Sequence, residues 1–213
     1  MKTLVIAEHN NKQLKSTTLN CVTAALAIGD DVEVIALGYK YEKVIDDLKK
    51  IKGVSRVNFI ENEDLEHQLA EDTTKQLMDF VQENTFSHIL APSSTFGKNL
   101  LPRIAALLDV QQISDVIKII DHETFERPIY AGNAILKLKS NDKIKVITIR
   151  GTCFEQASMN GSCDAQEFKN SFKSENKVTF LKHELSKTDR PELTSAKAIV
   201  SGGRGMQNGE NFK

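Results

Sequence analysis

"TLVIAE" (Thr3–Glu8) followed by "KSTTLNCVTAALAIG" (Lys15–Gly29) decides the fold. The first is a short unbroken apolar run, the pattern of a strand buried on both faces of a parallel sheet. In the second, Leu19, Val22, Leu26 and Ala27 recur at helical spacing, and Gly29 stands where a helix stops. The rhythm repeats. "DVEVIALG" (31–38), "VSRVNFIE" (54–61) and "SHILAPSS" (87–94) read as strands. "YEKVIDDLKKI" (41–51), "DLEHQLAEDTTKQLMDFVQEN" (64–84) and "FGKNLLPRIAALLDV" (96–110) read as helices, the last with Pro102 near its first turn, where a missing N–H costs little. Strands alternating with helices mean crossover units and a mainly parallel α/β sheet.

The pattern changes after Val110. "QISDVIKIID" (112–121), "FERPIYAGNAILKLKS" (125–140) and "KIKVITIRGTCF" (143–154) are rich in β-branched residues, and "SND" (Ser140–Asp142) is a turn signal. These predict antiparallel strands added to the parallel sheet. Glu155–Asn176 is polar and weakly patterned and predicts a long mobile loop, in which Asn160–Gly161 is prone to deamidation. "KVTFLKHEL" (177–185) and "AKAIVSGG" (196–203) read as strands, with a polar connector and a domain boundary between them, near Thr188–Thr194.

The 213 residues fit one large domain or one domain plus part of another. A 40% hydrophobic and 27% charged composition predicts a folded chain. With a formal charge of −1 and no basic block, the sequence does not suggest a nucleic-acid or anionic-membrane partner. No apolar run reaches the roughly 18 residues needed to cross a bilayer. The N-terminus carries neither a signal-peptide pattern nor a transit-peptide composition. Cys21, Cys153 and Cys163 form no C-x-x-C pair and read as reduced thiols.

Chemistry-bearing motifs are few. "APSSTFGKN" (91–99) places Gly97–Lys98 after a strand, but Pro92 and Asn99 stand where a Walker A loop needs Gly and Ser or Thr. Helix capping by its serines is preferred over anion binding. The five histidines His9, His67, His88, His122 and His183 match no zinc spacing, and no nucleophile is paired with a base, so neither a metal site nor a catalytic residue is expected. In "RPIYAGNAI" (127–135), Pro128, Gly132 and Asn133 predict a bulge or bend, structural in preference to ligand-contacting. In "AKAIVSGGRG" (196–205), Gly202, Gly203 and Gly205 surround Arg204. A tight turn and a nucleotide-phosphate loop fit this pattern equally.

Seven segments occur together and in order: "TLVIAEH", "FGKNLLPR", "ISDVI", "RPIYAGNA", "KVITIRGT", "KTDRPELT" and "IVSGGRGMQNGENFK". In this set the whole chain resembles the α subunits of electron transfer flavoproteins. The resemblance implies a Rossmann-like N-terminal domain of the adenine nucleotide α-hydrolase type over 1–190. Over 191–213 it implies a linker and the first strand and loop of a flavodoxin-like FAD domain that is incomplete in this sequence. It implies a heterodimer with a β subunit that carries AMP. It also implies electron transport from acyl-CoA and related dehydrogenases of fatty acid β-oxidation to a membrane ubiquinone oxidoreductase. The expected site is mitochondrial matrix or bacterial cytoplasm, and the chain itself is expected to be a carrier with no substrate to transform. Arg204 with Gly203 and Gly205 then matches part of the FAD site. The rival is a stand-alone adenine-nucleotide-binding domain using Glu8–Lys12 and Pro92–Lys98.

Overall fold

The structure, a computed structural model, describes residues 1–169, 172–174, 178–184, 193, 196 and 198–212. Two compact units divide between Phe180 and Leu181. The first holds a seven-stranded parallel sheet of order β10-β3-β2-β1-β4-β9-β5. Its strands are β1 (Lys2–Ile6), β2 (Asp31–Gly38), β3 (Val54–Glu61), β4 (His88–Pro92), β5 (Gln112–Val116), β9 (Lys145–Ile149) and β10 (Asp164–Glu167). Its helices are α1 (Thr17–Leu26), α2 (Glu42–Leu48), α3 (Ala70–Glu83) and α4 (Thr95–Leu107).

Alternation along each strand explains the two cores. Leu4 and Ile6 of β1 join Ile35, Leu37, Ile89 and Ala91 on the face covered by α3 and α4. Val5 and Ala7 join Val34, Ala36, Leu90 and Ile147 on the face covered by α1 and α2. Side chains two apart share a face, so a run apolar at every position must be covered on both sides.

The antiparallel strands are present but form a sheet of their own: β6 (Lys118–Ile119), β7 (Thr124–Ile129) and β8 (Ala134–Lys139). Two of the stretches expected to be antiparallel, β5 and β9, instead join the parallel sheet. Parallel and antiparallel neighbours select the same β-branched residues, so composition does not separate them.

The bend expected in "RPIYAGNAI" is the β7–β8 hairpin turn, where Tyr130, Ala131 and Gly132 all have positive φ. The long helix expected from Asp64 is broken into a 3-10 turn (Glu63–Leu65) and α3, with Gln68 at φ 49° between them. Pro102 lies in the interior of α4, not its first turn. It faces solvent, where water can satisfy the Lys98 carbonyl that loses its partner.

Of the loop expected to be mobile over Glu155–Asn176, the stretch from Ser158 to Glu167 is pinned, and residues 170–171 and 175–176 lie outside the described residues. Lys52 N–H donates to the Ser158 carbonyl at 2.9 Å, Gly161 N–H to Lys50 at 2.7 Å and Cys163 N–H to Lys49 at 3.2 Å, and β10 then adds to β3. The expected strands at 177–185 and 196–203 are not seen among the described residues. The expected boundary falls on 188–194, of which only Leu193 is described.

Candidate functional site

The chain runs β1 to β2 to β3 outward, then returns to place β4 on the other side of β1. Loops leaving the carboxyl ends of β1 and β4 therefore diverge, the place where open α/β sheets form a crevice.

At the β1 end the crevice is filled from within. Glu8 N–H donates to Thr18 Oγ1 at 3.0 Å, and the Thr17 hydroxyl donates to Glu8 Oε2 at 3.1 Å, so a side-chain carboxylate stands at the start of α1. An anion placed there complements the helix dipole. A nucleotide phosphate would meet like charge.

His9 is buried next door, stacked on Tyr41 with ring centroids 5.0 Å apart. Its Nδ1 accepts from Asn11 N–H at 3.1 Å and faces the Gln68 amide nitrogen at the same distance. Burial lowers its pKa to about 4, against a smaller opposing effect of the Leu37 carbonyl. Gly38 is a glycine of necessity here, because a Cβ would lie 2.4 Å from Asn11 Oδ1 and 2.9 Å from His9 Cε1.

At the β4 end Ser94 caps α4, its Oγ accepting from Gly97 N–H at 3.4 Å, which is the capping role read from the sequence. A Cβ at Gly97 would lie 1.9 Å from the Pro92 carbonyl oxygen, so this glycine serves close helix–strand packing. At the β9 end Arg150 clasps Asp115, with Nε donating to Oδ1 at 3.1 Å and Nη2 to Oδ2. The guanidinium holds the Asp115 carboxyl below its usual range. Asp115 sits at φ 60° with its N–H on Thr148 Oγ1 at 2.7 Å. Arg150 is thus neutralised by a partner 35 residues away, a pairing that no local spacing announces.

The second unit holds the other candidates. Arg204–Met206 forms a 3-10 turn after Gly203, closed by Met206 N–H to the Gly203 carbonyl at 3.0 Å. Arg204 is exposed, and its guanidinium forms no ion pair or hydrogen bond with a described residue. A Cβ at Gly203 or Gly205 meets nothing within 4 Å, and neither has positive φ. The turn itself therefore does not demand these two glycines. Gly202 differs, since a Cβ there would press on Phe212 and Met206. An exposed guanidinium beside open backbone has the chemistry to meet a phosphate.

Residues 3–172 match the family model described as "Electron transfer flavoprotein domain". The chain belongs to the electron transfer flavoprotein family. Its sequence is 48% identical over 213 residues to the electron transfer flavoprotein subunit alpha of Pseudomonas aeruginosa, covering 100% of this chain and 68% of that protein. It is 46% identical to the mitochondrial subunit alpha of Dictyostelium discoideum, covering 99% of this chain and 63% of that protein. For the probable mitochondrial subunit alpha of Caenorhabditis elegans the identity is 42%, over 99% of this chain and 64% of that protein. The chain thus spans about two thirds of the length of these curated relatives. Membership of an electron transfer flavoprotein family implies a flavin in general terms. The relatives are bacterial and mitochondrial, and no helix among the described residues is long and apolar enough to cross a membrane.

Proposed function

We propose that the chain works as the α subunit of an electron transfer flavoprotein, a carrier without catalytic residues of its own. It pairs with an AMP-carrying β subunit and contributes Arg204, Gly203 and Gly205 to an FAD site. The complex relays electrons from acyl-CoA and related dehydrogenases toward a quinone oxidoreductase, in the mitochondrial matrix or the bacterial cytoplasm. The observation that carries this reading is the reach of the similarity. The family model ends at residue 172, but the relatives named subunit alpha align over 99–100% of the chain, Gly202–Gly205 included.

FAD, when bound, supplies the two-electron store. The residues here bind and orient it: Arg204 offers charge-assisted donors, and the flanking glycines leave backbone N–H groups approachable. The division of the chain into domains over 1–190 and 191–213 belongs to the same proposal, with the second segment opening the FAD domain.

A surface for the partner subunit is also at hand. Tyr130, 80% exposed, and Ile135, 54% exposed, stand on the β7–β8 hairpin, and β8 pairs on one edge only among the described strands. Exposed aromatic and aliphatic groups beside an open strand edge suit a protein partner. The rival adenine-nucleotide reading is disfavoured by the Glu8 carboxylate at α1 and the Asp115 clamp on Arg150.

Co-expression with a β subunit, followed by affinity capture through the β subunit, tests the proposal. The chain should co-purify, and Tyr130→Asp with Ile135→Asp should reduce capture. FAD titration of the chain alone should give no stoichiometric tight complex. Tight AMP or ATP binding by the lone chain, without capture by the β subunit, would overturn it.

A further inference from the structure

Two Asn-Gly pairs occur in the chain, Asn160–Gly161 and Asn208–Gly209. Such pairs can rearrange by attack of the glycine nitrogen on the asparagine side-chain carbon, because glycine has no Cβ to obstruct the approach and restricts its backbone least. The two electrophiles are alike here. Both asparagines are exposed. Asn160 Oδ1 accepts from the Ser158 hydroxyl at 2.7 Å, and Asn208 Oδ1 accepts from Glu210 N–H at 3.0 Å. A donor at that oxygen steadies the negative charge that grows on it as the nitrogen adds.

The nucleophiles differ. Gly161 N–H is committed to the Lys50 carbonyl at 2.7 Å, with the Lys52–Ser158 and Cys163–Lys49 backbone bonds holding the chain on either side. No slack exists there, since even a Cβ on Gly161 would come within 2.6 Å of the Ile51 carbonyl oxygen. Gly209 N–H donates to no described residue, the glycine is exposed, and a Cβ would meet nothing within 4 Å.

We infer that Asn208–Gly209 is a self-modification site at which the folded chain deamidates, and that Asn160–Gly161 is protected by its docking on Lys49–Lys52, the turn that follows α2. The Gly209 nitrogen gives its proton to solvent base and bonds to Asn208 Cγ. The side-chain nitrogen leaves as ammonia, closing a five-membered imide. Water then adds to either imide carbonyl, and the ring opens to an aspartyl or an isoaspartyl linkage. The sum is amide plus water to carboxylate plus ammonium, one negative charge gained, with no oxidant or cofactor. That charge arises four residues after Arg204, so on the reading of Arg204 as an FAD phosphate contact it opposes the cofactor.

The test is peptide mapping of the folded full chain after mildly alkaline incubation, with mass spectrometry and isoaspartate-specific methylation as readouts. Asn208 should convert about a hundredfold faster than Asn160, the factor implied by three ordinary hydrogen bonds that must open together. In denaturant the two rates should converge, and Asn208→Gln should abolish the acidic shift on isoelectric focusing. Equal rates in the folded chain, or a faster Asn160, would overturn the inference. FAD occupancy of the α–β complex carrying Asn208→Asp is read separately. Unchanged occupancy would count against the role of Arg204 and leave the deamidation result standing.

Discussion

Two apolar runs in the molecule, Leu4–Ala7 and Ala198–Val200, read alike and end differently. Leu4, Val5 and Ile6 are fully buried in β1, paired with β2 on one side and β4 on the other. Ile199 is 56% and Val200 87% exposed, and neither lies in a strand. An apolar, β-branched run becomes a strand only where neighbours take its backbone hydrogen bonds and helices cover its faces. The first unit supplies both. Every buried apolar side chain among the described residues lies at or before Ile149.

The comparison can be broken most sharply at Gly97. Gly97→Val should cost about 4 kcal/mol, because its Cβ would have to displace the backbone of β4; denaturant melts showing wild-type stability would mean that α4 does not sit tightly on that strand.

Acid should weaken the first unit through His9. The imidazole titrates at about 4 when folded against 6.5 unfolded, so the unfolded chain takes up the proton first. The stabilisation is whole above pH 6.5 and is lost as pH falls toward 4, by about 3 kcal/mol at 1.36 kcal/mol per pH unit. His9→Gln should flatten this dependence in urea melts taken across that range.

Leu4→Ala should cost about 3 kcal/mol through lost contacts and a cavity, whereas Val200→Ala should stay within about 0.5 kcal/mol. Equal effects would erase the distinction between the two runs. A similarly small change is expected from ending the chain at Phe180, which should leave the main unfolding transition within about 0.5 kcal/mol of the original, as followed by circular dichroism.

The same distinction sets how far the sequence could be read. Strands at 31–38 and 54–61 were legible to the residue, the first through a nearly continuous run buried on both faces, the second through its β-branched and aromatic residues despite exposed Ser55 and Arg56. The Ser94 cap was legible because capping is local. The fold of Glu155–Glu167 was not, because polar side chains conceal a segment held by backbone bonds to Lys49, Lys50 and Lys52, about a hundred residues earlier. The Asp115–Arg150 clamp and the Glu8–Thr17 contact at α1 escaped for the same reason: they depend on which strand ends lie side by side, and strand order is not written in any one strand. Arg204 and its glycines drew notice through composition alone, and the structure adds that the turn itself does not require Gly203 and Gly205.

The chain has no tryptophan and three tyrosines, of which two sit in opposite surroundings. Tyr41 is buried, stacked on His9, its hydroxyl proton shared between the Ala36 and Ile60 carbonyls at 3.0 and 2.8 Å. Tyr130 stands on the hairpin with most of its ring in solvent. The protein therefore carries its own optical reporters. Ultraviolet emission from the hairpin ring can be quenched by a soluble agent that does not reach Tyr41, and a partner seated on the hairpin would restore it, so docking could be watched without a dye.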